Sequence, residues 1–270
     1  MEAPHWSLGR DRIREVVNVP RLGVLADFDG TLSHFTLDPM VSKPEPANVA
    51  ALDALADAGV ILALVSGRPV ASLHDRLPRS YLTYHGSHGL DYWDGSAARL
   101  NVEAQPWEAP FQALLAEFGT PPESGVVIEN KRATGSVHYR QAPDPAAARE
   151  SLYQRLKPLA DKHGFMLSEG RWIWEIHPPI TLNKGTSVRA LIAQFALDGA
   201  IFLGDDITDL SAIDAIHELA ATTGLRGLAV GVRQPDGGPV EVRERVDLLV
   251  ESPDEVAALL RYIYDLRKIA

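Results

Sequence analysis

Five mostly apolar runs punctuate the chain: 22–26 (LGVLA), 61–65 (ILALV), 200–203 (AIFL), 227–231 (GLAVG) and 246–250 (VDLLV). None shows the strict apolar–polar alternation of a half-exposed strand. Such runs suit strands of a parallel sheet covered on both faces. Helical patterns lie between them. Pro46 opens one that carries Val49, Leu52 and Leu55 and closes at Gly59. Val188, Leu191, Ile192 and Phe195 recur at i, i+3, i+4 and i+7. Ser252-Pro253-Asp254-Glu255 reads as a capping box ahead of Val256, Leu259, Leu260 and Ile263. Strand–helix alternation at both ends of the chain therefore predicts an α/β fold with a Rossmann-like parallel-sheet core.

The middle reads differently. A helix with Trp107, Phe111, Leu114, Leu115 and Phe118 runs into Pro121-Pro122. Strands are expected at 126–130 and 135–140, a helix at 144–163, and strands at 165–168 and 172–176 around a hairpin turn at Glu169-Gly170-Arg171. This order predicts a small α+β domain at 106–178, inserted into a discontinuous core of 1–105 and 179–270. Trp172 and Trp174 alternate with Ile173 and Glu175, which places both rings on one strand face, with core packing favoured over stacking on a ligand. Residues 1–19 read as a peripheral helix or tail.

Chemistry clusters where the apolar runs end. The first is followed by Asp27-Phe28-Asp29-Gly30-Thr31-Leu32. Two acids two residues apart crowd like charges, at a cost of roughly 4 kcal/mol at about 4 Å and an effective dielectric of about 20. A metal ion, a shared proton or a change of backbone direction must offset that repulsion. A carboxylate in this place can attack phosphorus. An acid beside a like charge has a raised pKa and suits proton transfer. Gly30 lets the chain turn close to a phosphate, and Thr31 can hydrogen-bond a phosphate oxygen or Asp29. The second run ends in Ser66-Gly67-Arg68, a hydroxyl donor ahead of a helix start. Lys184 begins the helix after Asn183, where the helix dipole disfavours a cation, so an anionic partner is expected. The run at 200–203 delivers Gly204-Asp205-Asp206-Ile207-Thr208-Asp209. All four stations lie at strand carboxyl ends or helix starts on one edge of the sheet, where open α/β sheets bind ligands.

The hexapeptide matches D-x-D-G-T-L at all five fixed positions, and the chain resembles the haloacid dehalogenase superfamily of phosphohydrolases. The resemblance implies that Asp27 is the nucleophile, Asp29 the general acid and base, and Lys184 the residue holding nucleophile and phosphate. It implies phosphate contacts from Thr31, Ser66, Gly67 and Arg68. It also implies a Mg2+ site formed by Asp27, Asp29, Asp205, Asp206 and Asp209. In that site Asp205 is a direct ligand, and either Asp206 or Asp209 orients metal-bound water or steadies the lysine. An insertion between the second and third stations serves as a cap in this superfamily.

The resemblance narrows to trehalose-6-phosphate phosphatases through G-D-D-x-T-D, through Glu129-Asn130-Lys131 with His138-Tyr139-Arg140, and through Glu175-Ile176. That family usually has Glu where this chain has Leu210. The implied activity is hydrolysis of trehalose 6-phosphate through an aspartyl phosphate, with Glu129, Lys131, Arg140 and Glu175 bridging sugar hydroxyls. Surface ion pairing on a small sheet is the alternative reading of those four. Sucrose 6-phosphate and mannosyl-phosphoglycerate are the alternative substrates. A phosphomutase must shield the aspartyl phosphate from water, and a receiver domain is much shorter and lacks a cap. His85 and His88 read as a Gly-rich turn after a core strand rather than a metal pair.

Composition narrows the rest. The chain has 270 residues, of which 46% are hydrophobic, enough for a sizeable core. A net charge of −10 argues against nucleic acid or an anionic membrane as partner. The absence of cysteine removes disulfides and thiolate chemistry. No apolar run reaches the roughly 18 residues of a membrane span, and the first residues lack a signal-peptide core. A cytoplasmic, monomeric enzyme acting on a small-molecule sugar phosphate is expected.

Overall fold

A computed structural model describes residues 2–36, 41–170, 172–235 and 237–269. The chain divides into two compact units, Met1–Ala98 with Leu182–Ala270, and Arg99–Thr181.

The first unit is built on the apolar runs. They form β1 (Leu22–Ala26), β2 (Ile61–Val65), β10 (Gly199–Gly204), β11 (Arg226–Val232) and β12 (Leu248–Val250), and β3 (Leu82–Gly86), outside those runs, joins them. With β4 (Asp91–Trp93) and β5 (Ala98–Leu100), the order across the sheet is β12-β11-β10-β1-β2-β3-β4-β5. Pairing is parallel from β12 to β3, and β4 is antiparallel to β3.

Successive residues of β1 feed opposite layers. Val24 and Ala26 pack in a layer with α1 (Arg10–Val17), α2 (Pro46–Asp57), α3 (Val70–Arg76) and α9 (Pro253–Ile269). Leu25 packs with α6 (Lys184–Gln194), α7 (Leu210–Thr223) and α8 (Val240–Arg245). Double coverage is why these strands need apolar residues at every position. The chain leaves β1 towards β2 on one side, while β10 pairs on the other. Strand order thus reverses beside β1, and a crevice opens at the carboxyl ends there.

Two expectations about this unit are sharpened. Of the peripheral helix or tail read at residues 1–19, the helix is present as α1. Trp6, Ile13, Val16, Val17 and Val19 are buried in the core, because the amphipathic face of α1 covers the sheet against α9. The capping box expected at Ser252 does not close on itself. The Glu255 carboxylate instead accepts from the Glu251 N–H at 2.7 Å and from the Trp6 indole N–H at 2.9 Å.

The second unit holds α4 (Glu108–Phe118), β6 (Val127–Asn130), β7 (Gly135–His138), α5 (Pro145–His163), β8 (Met166–Gly170) and β9 (Ile173–His177). Its sheet runs β6-β7-β9-β8, antiparallel throughout. Asp144 caps α5 by accepting from the Ala147 N–H, and Gly164 ends it in the left-handed region. Val137, Trp174 and Ile176 bury one sheet face against α4 and α5.

The hairpin joining β8 and β9 differs from expectation. Glu169 and Gly170 belong to β8, paired with Trp174 and Ile173. Arg171, part of the expected turn, lies outside the described residues. Trp172 sits in the turn with φ +65°. It therefore does not share a strand face with Trp174. Trp174 is buried, while Trp172 is 49% exposed and meets Tyr139 edge-on at 6.3 Å.

Candidate active site

The end of β1 brings Asp27 to the crevice. The Asp27 N–H still donates to Leu203 of β10 at 2.9 Å, so Asp27 and the Gly204-Asp205 step lie side by side. Lys184 opens α6, whose N-cap Asn183 accepts from the Thr186 N–H at 2.9 Å. The lysine is 2% exposed. Its Nζ donates to Asp27 Oδ2 at 2.8 Å and to Asp209 Oδ1 at 2.7 Å. The anionic partner expected for a cation at a helix start is thus a pair of carboxylates. Asp209 Oδ2 accepts from the Asp205 and Asp206 N–H groups at 3.0 Å each, so Asp209 both steadies the lysine and closes the turn after β10.

Carboxylate oxygens of Asp27, Asp205 and Asp209 lie within 4.8 Å of one another, and all three residues are buried. Burial raises the Asp27 carboxyl to about 6, with Asp209 and Asp29 adding like charge and Lys184 opposing it. Burial, then Asp209 and Asp27, push Asp205 well above the ordinary carboxyl range. Burial alone would lower the Lys184 ammonium, yet the Asp209 and Asp27 carboxylates hold it above its usual value. Three acids against one ammonium leave a surplus of negative charge. An all-oxygen set of that kind suits a hard divalent cation, so the cluster can hold a metal ion.

The backbone is shaped around this cluster. Gly30 has φ +75°, and a Cβ there would lie 2.1 Å from Asp205 Oδ2. Glycine is required on both counts. The Gln234 amide donates to the Gly30 carbonyl at 2.8 Å and holds the turn in place.

The remaining predicted site residues divide. Thr31 is buried and donates to Asp205 Oδ1 at 3.0 Å, not to Asp29. Asp29 is outside the three-carboxylate cluster. It instead receives Arg68 Nε at 2.5 Å and Nη2 at 2.7 Å, with Ser42 Oγ at 2.9 Å. Arg68, expected on phosphate, is thereby on Asp29. Asp206 is exposed and caps the turn at Ile207–Asp209 rather than joining the cluster. Ser66 is buried beside Gly67, over which the His88 ring packs so closely that a Cβ would meet Nε2 at 2.6 Å. His85 and His88 are not among the clustered ligands. His85 lies in β3 just before a turn in which Ser87 and His88 have positive φ.

In the second unit, Glu129 and Glu175 both lie opposite Ser136, one on each side. They share the sheet face turned away from α4 and α5. Glu129 lies 3.4 Å from Lys131 Nζ and 3.3 Å from His138 Nε2. Burial opposes its ionisation, but the His138 hydrogen bond and the Lys131 charge prevail and hold its carboxyl at about 2. Arg140 lies two residues beyond β7.

Ser42, Ser33 and Gln234 were not legible as site residues. They are ordinary polar residues in loops, and no spacing marks them.

Among known proteins, the family model described as trehalose-phosphatase matches residues 25–252. The trehalose-phosphate phosphatase of Mycobacterium ulcerans (strain Agy99) is 34% identical over 251 residues, covering 89% of this chain and 61% of the relative. That of Mycobacterium tuberculosis (strain ATCC 25618 / H37Rv) is 33% identical over 225 residues, covering 80% and 54%. The chain thus spans about three fifths of the length of the first of these relatives and about half of the second. In fold it is similar to the C-terminal domain of the Candida albicans trehalose-6-phosphate phosphatase. The TM-score is 0.75 at 22% identity, and 98% of each chain is covered. Among the described residues, no helix is long and apolar enough to cross a membrane. The match along most of its length, on a sheet whose strand ends gather Asp27, Lys184, Asp205 and Asp209, makes this chain a member of the trehalose-phosphatase family.

Proposed function

We propose that the chain is a Mg2+-dependent phosphatase that hydrolyses trehalose 6-phosphate to trehalose and phosphate. The observation that carries this reading is the buried Asp27 carboxylate at the end of β1, its Oδ2 held by Lys184 at 2.8 Å. It is joined by two further carboxylates within 4.8 Å. Family membership supports the substrate.

Asp27 attacks phosphorus, and the new P–O bond forms as the bond to the sugar oxygen breaks. Asp29 gives that oxygen a proton, since an alkoxide is a poor leaving group. Asp29 then takes a proton from water as the water attacks the aspartyl phosphate, which frees Asp27 and releases phosphate. Lys184 keeps Asp27 oriented and offsets charge on the transferring group. Asp27, Asp205 and Asp209 would hold the magnesium ion, which supplies neutralisation of the phosphate's charge. Ser66 and the backbone at Gly67 bind phosphate oxygens. In the second unit, Glu129, Lys131, Arg140 and Glu175 recognise sugar hydroxyls. The shared face of Glu129 and Glu175 supports this assignment.

The test is phosphate release from trehalose 6-phosphate, sucrose 6-phosphate, glucose 6-phosphate and mannosyl-phosphoglycerate, with and without Mg2+. Selective, Mg2+-dependent turnover of the first is expected, lost in Asp27→Asn while the protein stays folded. Comparable rates on small hexose phosphates, or near-normal activity in Asp27→Asn, would overturn it.

A further inference from the structure

We infer that Ser42 is a positioning residue for Asp29 and fixes which of its oxygens exchanges a proton with the sugar; this rests on the phosphatase reading above. Ser42 is 2% exposed, and its hydroxyl lies 2.9 Å from Asp29 Oδ1. Behind it, Ser33 Oγ lies 3.0 Å away and 3.1 Å from the Phe28 carbonyl oxygen. Ser33 is fully buried, and its backbone N–H donates to the Phe28 carbonyl at 3.0 Å. With its one proton on Asp29, Ser42 accepts from the Ser33 hydroxyl, and the Ser33 N–H ties this pair to the backbone that follows Asp27.

Arg68 grips the other side through both Asp29 oxygens. The two grips differ in kind. The guanidinium belongs to the phosphate-binding loop and is itself suited to a phosphate, which it binds in the same bidentate manner as a carboxylate. When a phosphate ester draws Arg68 away, Ser42 is the donor that remains on Asp29. Ser42 pins Oδ1, so Oδ2 is the atom that hands its proton to the sugar oxygen as the phosphorus–oxygen bond breaks. Removing the hydroxyl leaves that carboxyl free to rotate, and a small misplacement of a catalytic group is costly in rate.

Two esters separate this role from a structural one. Trehalose 6-phosphate leaves as a poor alkoxide and needs the proton, whereas p-nitrophenyl phosphate leaves as a stable phenolate and does not. For Ser42→Ala we expect the single-turnover rate of sugar release from trehalose 6-phosphate to fall about tenfold to hundredfold, with KM changed by less than about twofold. The single-turnover rate of p-nitrophenolate release, which precedes the water step that Asp29 assists on either ester, falls by no more than about threefold, which also reports that the nucleophile and its fold are intact. Ser42→Cys keeps the size with a weaker donor; it should show the same selective loss and carries the test if the alanine variant does not fold. Equal losses on both esters, or no loss on either, in the variant that folds overturn the inference alone. Unmutated protein that hydrolyses p-nitrophenyl phosphate but no sugar phosphate overturns the functional reading, and the inference with it.

Discussion

Replacing Lys184 by methionine tests the electrostatics of the site. The ammonium lies 2.8 Å from Asp27 and 2.7 Å from Asp209, with all three groups buried. At an effective dielectric of about 20, each contact is a gross attraction of about 6 kcal/mol. Desolvation of three charged groups cancels most of that sum. Deleting one partner is a different perturbation. Methionine fills the volume but leaves Asp27 Oδ2 and Asp209 Oδ1 without their ammonium donor and with Asp205 close by. Removing one member of a buried pair costs about 3–5 kcal/mol. That loss is expected in urea unfolding with EDTA at neutral pH, assigned to the first unit by hydrogen exchange of the β1 and β10 amides. Added Mg2+ should narrow the gap to the unmutated protein, because a cation among the three carboxylates restores part of the missing charge. Turnover should stay lost, since Asp27 is no longer oriented. A loss below about 1 kcal/mol in EDTA would refute the reasoning: it would mean that the carboxylates are solvated or protonated in the folded protein and that Lys184 does not hold them.

Three more outcomes follow from the geometry. Gly30→Ala places a Cβ about where the Asp205 carboxylate sits, in a backbone region costly for alanine; it should weaken Mg2+ binding measured by calorimetry and lower kcat, and unchanged Mg2+ affinity would contradict the packing. Burial lowers the His85 imidazole to about 4. The unfolded chain therefore takes up a proton near pH 6.5 that the fold rejects until about 4. The neutral ring's contribution is complete above about pH 6.5 and is lost as pH falls towards 4, on the order of 3 kcal/mol. His85→Leu should flatten the fall of Tm over that window, and an unchanged slope would place the loss elsewhere. Glu129→Gln should raise KM for trehalose 6-phosphate about tenfold while sparing p-nitrophenyl phosphate; equal effects on both would make Glu129 a surface ion pair.

The strand ends were legible because local chemistry wrote them. Apolar runs on every position mean double coverage, parallel strands align their carboxyl ends, and acids or a hydroxyl after each run therefore share one edge. Lys184 was marked by a cation standing against a helix dipole. Pattern alone could not say which polar atom meets which. Asp29 follows Asp27 by two residues, yet the turn at Gly30 sends it to Arg68 and Ser42 and out of the carboxylate cluster. Thr31 reaches Asp205 across 174 positions. Trp172 and Trp174 differ in burial because a left-handed turn residue interrupts the strand's alternation. The polypeptide by itself determined the sheet, its edge and the kinds of groups delivered there, since these depend on hydrophobic period and local turn chemistry. Only the tertiary structure decided the partners, because a hydrogen bond reads distance and direction between atoms, and both arise from packing between segments remote in sequence.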